Sequence, residues 1–81
     1  MYRYLVVIEK TADGYSAYAP DVSGVGTVGD TVAETLENMQ EALELYIEVA
    51  LERGQPLPPP SAIQAGFVEV DESRFAARAT A

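Results

Sequence analysis

The sequence predicts an α+β domain: a three-stranded antiparallel sheet, one long helix packed across it, then a fourth strand. Three features carry that prediction. Residues 31–53 repeat apolar side chains at helical period over more than a quarter of the chain. Ahead of them, runs of aromatic and β-branched residues are separated by Asp, Gly and Pro, the composition of short strands joined by turns. Behind them, residues 66–71 (GFVEVD) set Phe67, Glu69 and Asp71 in alternation with Val68 and Val70, the period-2 pattern of an edge strand.

Residues 2–9 (YRYLVVIE) form the first predicted strand, with Tyr4, Val6 and Ile8 on one face and Leu5 and Val7 on the other. Apolar side chains on both faces imply that both are covered. One helix covers only one face of a small sheet, so Leu5 and Val7 are expected to meet another copy of the chain. Residues 10–14 (KTADG) are a turn, with Asp13 and Gly14 tolerant of the backbone angles a hairpin needs. Residues 15–19 (YSAYA) return as the second strand, and the small Ala17 and Ala19 allow close approach until Pro20, lacking a donor, ends it. Residues 21–29 (DVSGVGTVG) read as loop, a short strand around 25–28 weakened or bulged at Gly26, and a turn.

The helix follows. Thr31 with Glu34 fits a capping box, and Gly54 with Pro56 supplies a left-handed stop and a block to continuation. Stepping about 100° per residue places Val32, Leu36, Met39, Leu43, Tyr46, Ile47 and Ala50 within an arc of roughly 100° facing the core. Glu34, Glu37, Glu41, Glu44, Glu48 and Glu52 fall within about 80° on nearly the opposite side. A solvated face usually mixes signs, yet here Arg53 is the only cation in the helix. Like-charged neighbours three or four apart cost roughly 0.2–0.5 kcal/mol each, about 1–2 kcal/mol for the stripe before screening. A merely solvated face and a partner-facing one remain equally weighted, with Glu41, Glu44 and Glu48 the central candidates for partner binding. Leu45 and Val49, four apart beside the stripe and off the core arc, suggest a second contact surface, unless the following proline segment covers them. That segment, residues 55–61 (QPLPPPS), reads as an extended connector. Residues 73–81 form a tail expected to fray.

Composition narrows the chemistry. A chain of 81 residues makes one small domain, marginally stable unless disulfides, a metal or self-association add to it. Cys and His are both absent, which removes disulfides, thiolate nucleophiles, zinc sites and His-based catalysis and leaves self-association. A net charge of −8 opposes direct nucleic-acid binding and favours a basic protein partner. Neither a signal-peptide pattern nor an apolar run of membrane-spanning length occurs, so no membrane is expected and the cytoplasm is the default. Residues 24–29 spell GxGxxG, but the βαβ crossover and downstream acid of a dinucleotide site are missing. No catalytic, cofactor-binding or metal residue is expected.

Gly14-Tyr15, Tyr18, Pro20-Asp21, Gly24 and Gly29-Asp30-Thr31 together resemble the DG-Y…Y-x-PDLPGC-x-x-x-GDT pattern of HicB-like antitoxins of bacterial toxin–antitoxin systems. Gly54-Gln55-Pro56-Leu57-Pro58 continues the likeness as that family's G-x-P-[IL]-P, so that it spans roughly residues 2–61. The chain departs from the pattern with Ser23 for the usual proline, Val25 for the frequent cysteine and Gly26 for a bulkier residue. The resemblance implies a β-β-β-α-β fold similar to part of RNase H, occupying residues 1–72 as a short form. It also implies a protein-binding role: blocking a small basic HicA-like ribonuclease toxin whose catalysis relies on a histidine. Nuclease activity by the chain itself is not expected, since the strand centres at Leu5, Val6, Val7 and Ala17 carry no carboxylate to hold paired metals. The alternative is a stand-alone homo-oligomer, dimer or tetramer, of the same fold without a toxin. A DNA-binding autorepressor would need an appended reading domain, and the ten residues after Asp71 are too few for one.

Overall fold

A computed structural model describes residues 2–75. Three strands precede the helix: β1 (Val7–Lys10), β2 (Tyr15–Ala19) and β3 (Val22–Gly29). They form one antiparallel sheet in the order β1-β2-β3. The helix α1 (Val32–Glu52) follows, lies over β2 and β3, and is succeeded by an irregular connector and a short 3₁₀ turn at Glu72–Phe75. The α+β class and the order of sheet then helix agree with expectation. The described part of the tail is that single turn, and the remainder of residues 73–81 lies outside the described residues.

The first hairpin closes as its residues dictate. The amide of Thr11 donates to Gly14 O at 2.9 Å, and the amide of Gly14 donates back to Thr11 Oγ1 at 3.1 Å. β2 then pairs with β1 in the register Val7↔Tyr18, Ile8↔Ala17, Glu9↔Ser16, Lys10↔Tyr15. Ala17 and Ala19 are buried against Val22 and Met39, with Tyr4, Val6, Ile8, Val25, Leu43 and Tyr46 packed around them. This is the helix-facing side of the sheet, and the period-2 assignment of Tyr4, Val6 and Ile8 to it is correct.

Helix α1 begins and ends where its caps say. Thr31 has extended backbone, and its Oγ1 accepts the Glu34 amide at 3.0 Å. At the other end the amide of Gly54 donates to Leu51 O (3.1 Å) and that of Gln55 to Ala50 O (2.8 Å), with Gly54 at φ +65°. These two bonds form a Schellman motif, which satisfies carbonyls the last turn would leave free.

Four expectations are corrected. β1 is shorter than residues 2–9, because β2 stops at Ala19 before Pro20; residues 2–6 run on with no strand beside them. β3 is longer than residues 25–28, and its irregularity falls at Gly24 (φ +83°), not Gly26. Ala19 pairs with Val22 while Tyr18 pairs with Gly26, so residues 23–25 bulge out of the ladder. The core arc of the helix is also rotated from the one expected. Thr35, Met39 and Ala50 are buried, and Val32 and Leu36 are about half exposed. Thr35 can face the sheet because its hydroxyl donates to Thr31 O at 2.7 Å, so that among the described residues no buried side-chain polar atom is left unsatisfied. Finally, residues 66–71 form no strand. The alternation states a preference, but a strand exists only where a neighbouring edge accepts its hydrogen bonds, and the chain carries this segment away from the sheet.

Candidate protein-binding surfaces

Three surfaces of the chain can meet a partner, and each follows from how one helix sits on three strands. The first is the outer side of α1. Glu34, Glu37, Glu41, Glu44, Glu48 and Glu52 are all exposed, opposite the buried Thr35, Met39 and Ala50. The structure therefore brings Glu41, Glu44 and Glu48 together as successive steps along one exposed side of a rigid helix. The last turn contains no basic residue to offset them.

The second surface was not legible in the apolar periodicity. Because α1 lies over β2 and β3, the helix-facing side of β1 and of residues 2–6 is only partly covered. The gap is a groove of about 410 Å³ between Tyr2, Tyr4 and Val6 on one bank and Leu36, Leu43 and Ile47 on the other, with Gln40 and Glu44 at its lining. Tyr2 and Tyr4 meet edge to face, ring centres 5.9 Å apart. The periodicity had placed Leu36 and Ile47 in the core; the roll of the helix places them on this flank. Glu44 belongs both to the acidic stripe and to the groove, so the charged and apolar surfaces are continuous.

The third surface is the sheet face turned away from the helix. Leu5 and Val7 lie there half-buried, beside Tyr18 (44% exposed) and Val28 (67%) on β2 and β3. Leu45 and Val49 do not join them. Leu45 is 62% exposed on the helix, whereas Val49 is half-buried at the edge of the packed arc. The flank that carries them is tied to β3, where Asn38 Nδ2 donates to Val28 O at 2.9 Å.

The connector is fastened to the sheet at two points. The Tyr4 hydroxyl donates to Pro58 O at 2.6 Å, and burial, with Tyr2, Tyr46 and Asp21 nearby, raises its pKa. The Asp21 carboxylate, in the turn between β2 and β3, accepts the amides of Ser61 (2.9 Å) and Ala62 (2.8 Å) and the Ser61 hydroxyl (2.7 Å). The Ala62 amide foremost, then the Ser61 hydroxyl, hold the Asp21 carboxyl below its ordinary value. Asp21 was visible in the sequence only as part of a pattern, because its partners lie some forty residues away.

Among the described residues no group of three or more His, Cys, Asp or Glu side chains could hold a metal ion, and no helix is long and apolar enough to cross a membrane. What the surfaces offer is recognition by charge and apolar contact.

The chain is 44% identical over 59 residues to a UPF0150 protein of Synechocystis sp., a match covering 72% of this chain and 75% of that one. It is 35% identical over 71 residues to Antitoxin HicB 2 of Photorhabdus laumondii, covering 88% of this chain and 51% of the relative. Against a 14.9 kDa protein of Haemophilus phage HP1 the identity is 41%, and the match spans 46% of that longer chain. Among solved structures, one chain of a HicA3 and HicB3 toxin–antitoxin complex superposes with a TM-score of 0.61 at 31% identity, covering 95% of this chain and 80% of that one. The model of the HicB-like antitoxins of bacterial toxin–antitoxin systems matches residues 4–79, almost the whole chain, and the protein belongs to that family.

Proposed function

We propose that this chain is the antitoxin of a toxin–antitoxin pair, a cytoplasmic, non-catalytic module that binds and blocks a small basic ribonuclease toxin similar to HicA. The observation that carries the reading is the unbalanced acidic face of α1, continuous through Glu44 with an apolar groove. Charge along one side of a rigid helix adds instead of cancelling and steers a basic partner, while the groove offers the desolvated contact that prolongs a complex. Family membership, and the likeness to a chain found with HicA3, support a toxin as that partner.

The test is a Glu41→Gln, Glu44→Gln, Glu48→Gln variant mixed with a purified basic HicA-like toxin. Exposed charges act within about 8 Å at physiological salt and bear mainly on the association rate. The rate should fall about tenfold at low salt, the difference should close at high salt, and the fold should remain as stable or gain slightly as repulsion is relieved. An unchanged rate at low salt reduces the stripe to a solvated face.

A second reading rests on the outer sheet face. Leu5, Val7, Tyr18 and Val28 form an uncovered apolar patch, which favours a stand-alone homo-oligomer of the same fold. The neighbouring reading frame separates the two: a short, basic, His-containing product favours the antitoxin, and its absence the oligomer.

A further inference from the structure

We infer that residues 63–71 are an exchange arm that adds as a strand to the β1 side of a second copy of this chain, each copy receiving the arm it gives. The inference does not depend on a toxin partner.

The arm leaves the body at a fixed point. The three hydrogen bonds to Asp21 hold Ser61 and Ala62 at the turn after β2, where Pro60, Ala62 and Ile63 line a cavity together with Arg3, Tyr4 and Leu5. Beyond it the chain runs outward. Ile63, Phe67, Val68 and Val70 are 91%, 105%, 87% and 71% exposed, and every residue from 63 to 71 is exposed. The molecule is accordingly 55 Å long against 28 and 22 Å in the other directions, with a radius of gyration of 16.7 Å. A compact chain of this length would have about 12 Å. A run of strand-forming apolar side chains held in water is a segment whose partner is missing.

The body has the matching vacancy. Residues 2–6 have no strand beside them, and Tyr2, Tyr4 and Val6 line the groove. Parity decides how the arm would lie, since adjacent strands share a pleat and successive side chains face opposite sides. Glu69 and Asp71 cannot enter the groove against Glu44. The other phase puts Val68 and Val70 over Tyr4, Val6 and Leu36. It also puts Phe67 and Glu69 on the outer face, with Leu5, Val7 and the cation of Arg3. Apolar meets apolar on both faces, and the outer face that receives the Glu69 and Asp71 carboxylates is the one that carries Arg3.

A second copy fits because residues 63–71 are all exposed on their own chain, so the arm does not cover its own residues 2–6. Nine residues at about 3.3 Å each reach some 30 Å, enough to cross to a neighbour related by a two-fold axis. Two arms would bury on the order of 1,500–2,000 Å² in total, the size class of a stable dimer.

The experiment uses the full chain and a Phe67→Asp, Val68→Asp variant. Sedimentation from 1 to 100 µM should show the wild type as a dimer and the variant with a Kd raised about 100-fold or more. The helical circular dichroism at 222 nm should be unchanged, because both side chains are exposed in the single chain and lie far from α1 in sequence. Hydrogen exchange should protect the amides of residues 3–6 and 67–70 together in the wild type and release both in the variant. Arg3→Glu should weaken the dimer, and Arg3→Glu with Glu69→Arg should restore it. In a dimer mixed from differently isotope-labelled copies, contacts between residues 67–70 and 3–6 should join different chains. A wild type monomeric to 100 µM would overturn the inference. So would a variant that dimerises like the wild type, contacts confined to one chain, or protection of residues 67–70 that requires a basic toxin.

Discussion

Gly29→Ala should destabilise the fold through a clash whose geometry is already set. Gly29 ends β3 opposite Tyr15, and a Cβ built there lies 2.5 Å from Thr35 Oγ1, 2.9 Å from Thr35 N and 3.0 Å from Thr35 Cα. The hydroxyl cannot rotate aside freely, because it is buried and donates to Thr31 O at 2.7 Å. The remaining two contacts are helix backbone, so relief requires the start of α1 to lift from the sheet and loosen the packing around Met39. Overpacking of this kind costs about 1–3 kcal/mol, a large share of the roughly 4–12 kcal/mol expected for a domain of this size. With a urea slope of about 1–1.5 kcal/mol/M, the unfolding midpoint should fall by about 0.7–3 M, followed by circular dichroism at 222 nm. Adding Thr35→Ala should recover only part of the loss, since the Thr35 amide would still be 2.9 Å away. Gly66→Ala is the control: no atom of its own chain lies within 4 Å of its Cβ, so it meets no such clash and its midpoint should not fall in this way. A Gly29→Ala midpoint equal to the wild type would refute the close packing of helix on strand end.

Gly54→Ala should cost about 1–2 kcal/mol in the same titration, because φ +65° is left-handed and nothing nearby offers compensating contact. Tyr4→Phe removes the hydroxyl that holds Pro58 O and should cost about 0.5–1.5 kcal/mol, with faster proteolysis of the connector. The Asp21 latch should be pH-dependent. Its folded pKa is depressed, so its stabilising contribution is complete above the ordinary value of 3.8 and is lost as pH falls through the lower folded value. Exchange of the Ser61 and Ala62 amides, followed by NMR, should accelerate over that acid window in the wild type. In Asp21→Asn it should already be fast at neutral pH.

Features decided by neighbouring residues were legible in the sequence, and features decided by distant ones were not. The bounds of α1 could be read closely because Thr31 and Gly54 act within a few residues of themselves. The acidic stripe was equally plain, since charge and helical period alone define it. The extent of β1 was not, because its ladder ends where β2 meets Pro20, in a different strand. The roll of the helix was missed because Thr35 counts as polar in a periodicity, whereas its hydroxyl is satisfied within its own turn and its small size suits Gly29. That error hid the groove, whose wall of Leu36 and Ile47 had been placed in the core. Residues 66–71 have the composition of a strand, but composition cannot supply the edge on which a strand forms.

The two edges of this sheet are unequal. β3 carries Gly24, Gly26 and Gly29 and a bulge over residues 23–25, so its outer rim offers no long regular row of donors and acceptors. It is a poor template for adding another strand. Any sheet extension is thereby confined to the β1 side, and a pair that shares that side exhausts it. In the exchanged pair inferred above, growth would stop at a closed unit instead of continuing into a filament, so a protein with an exposed apolar segment and an open sheet would remain at a finite size.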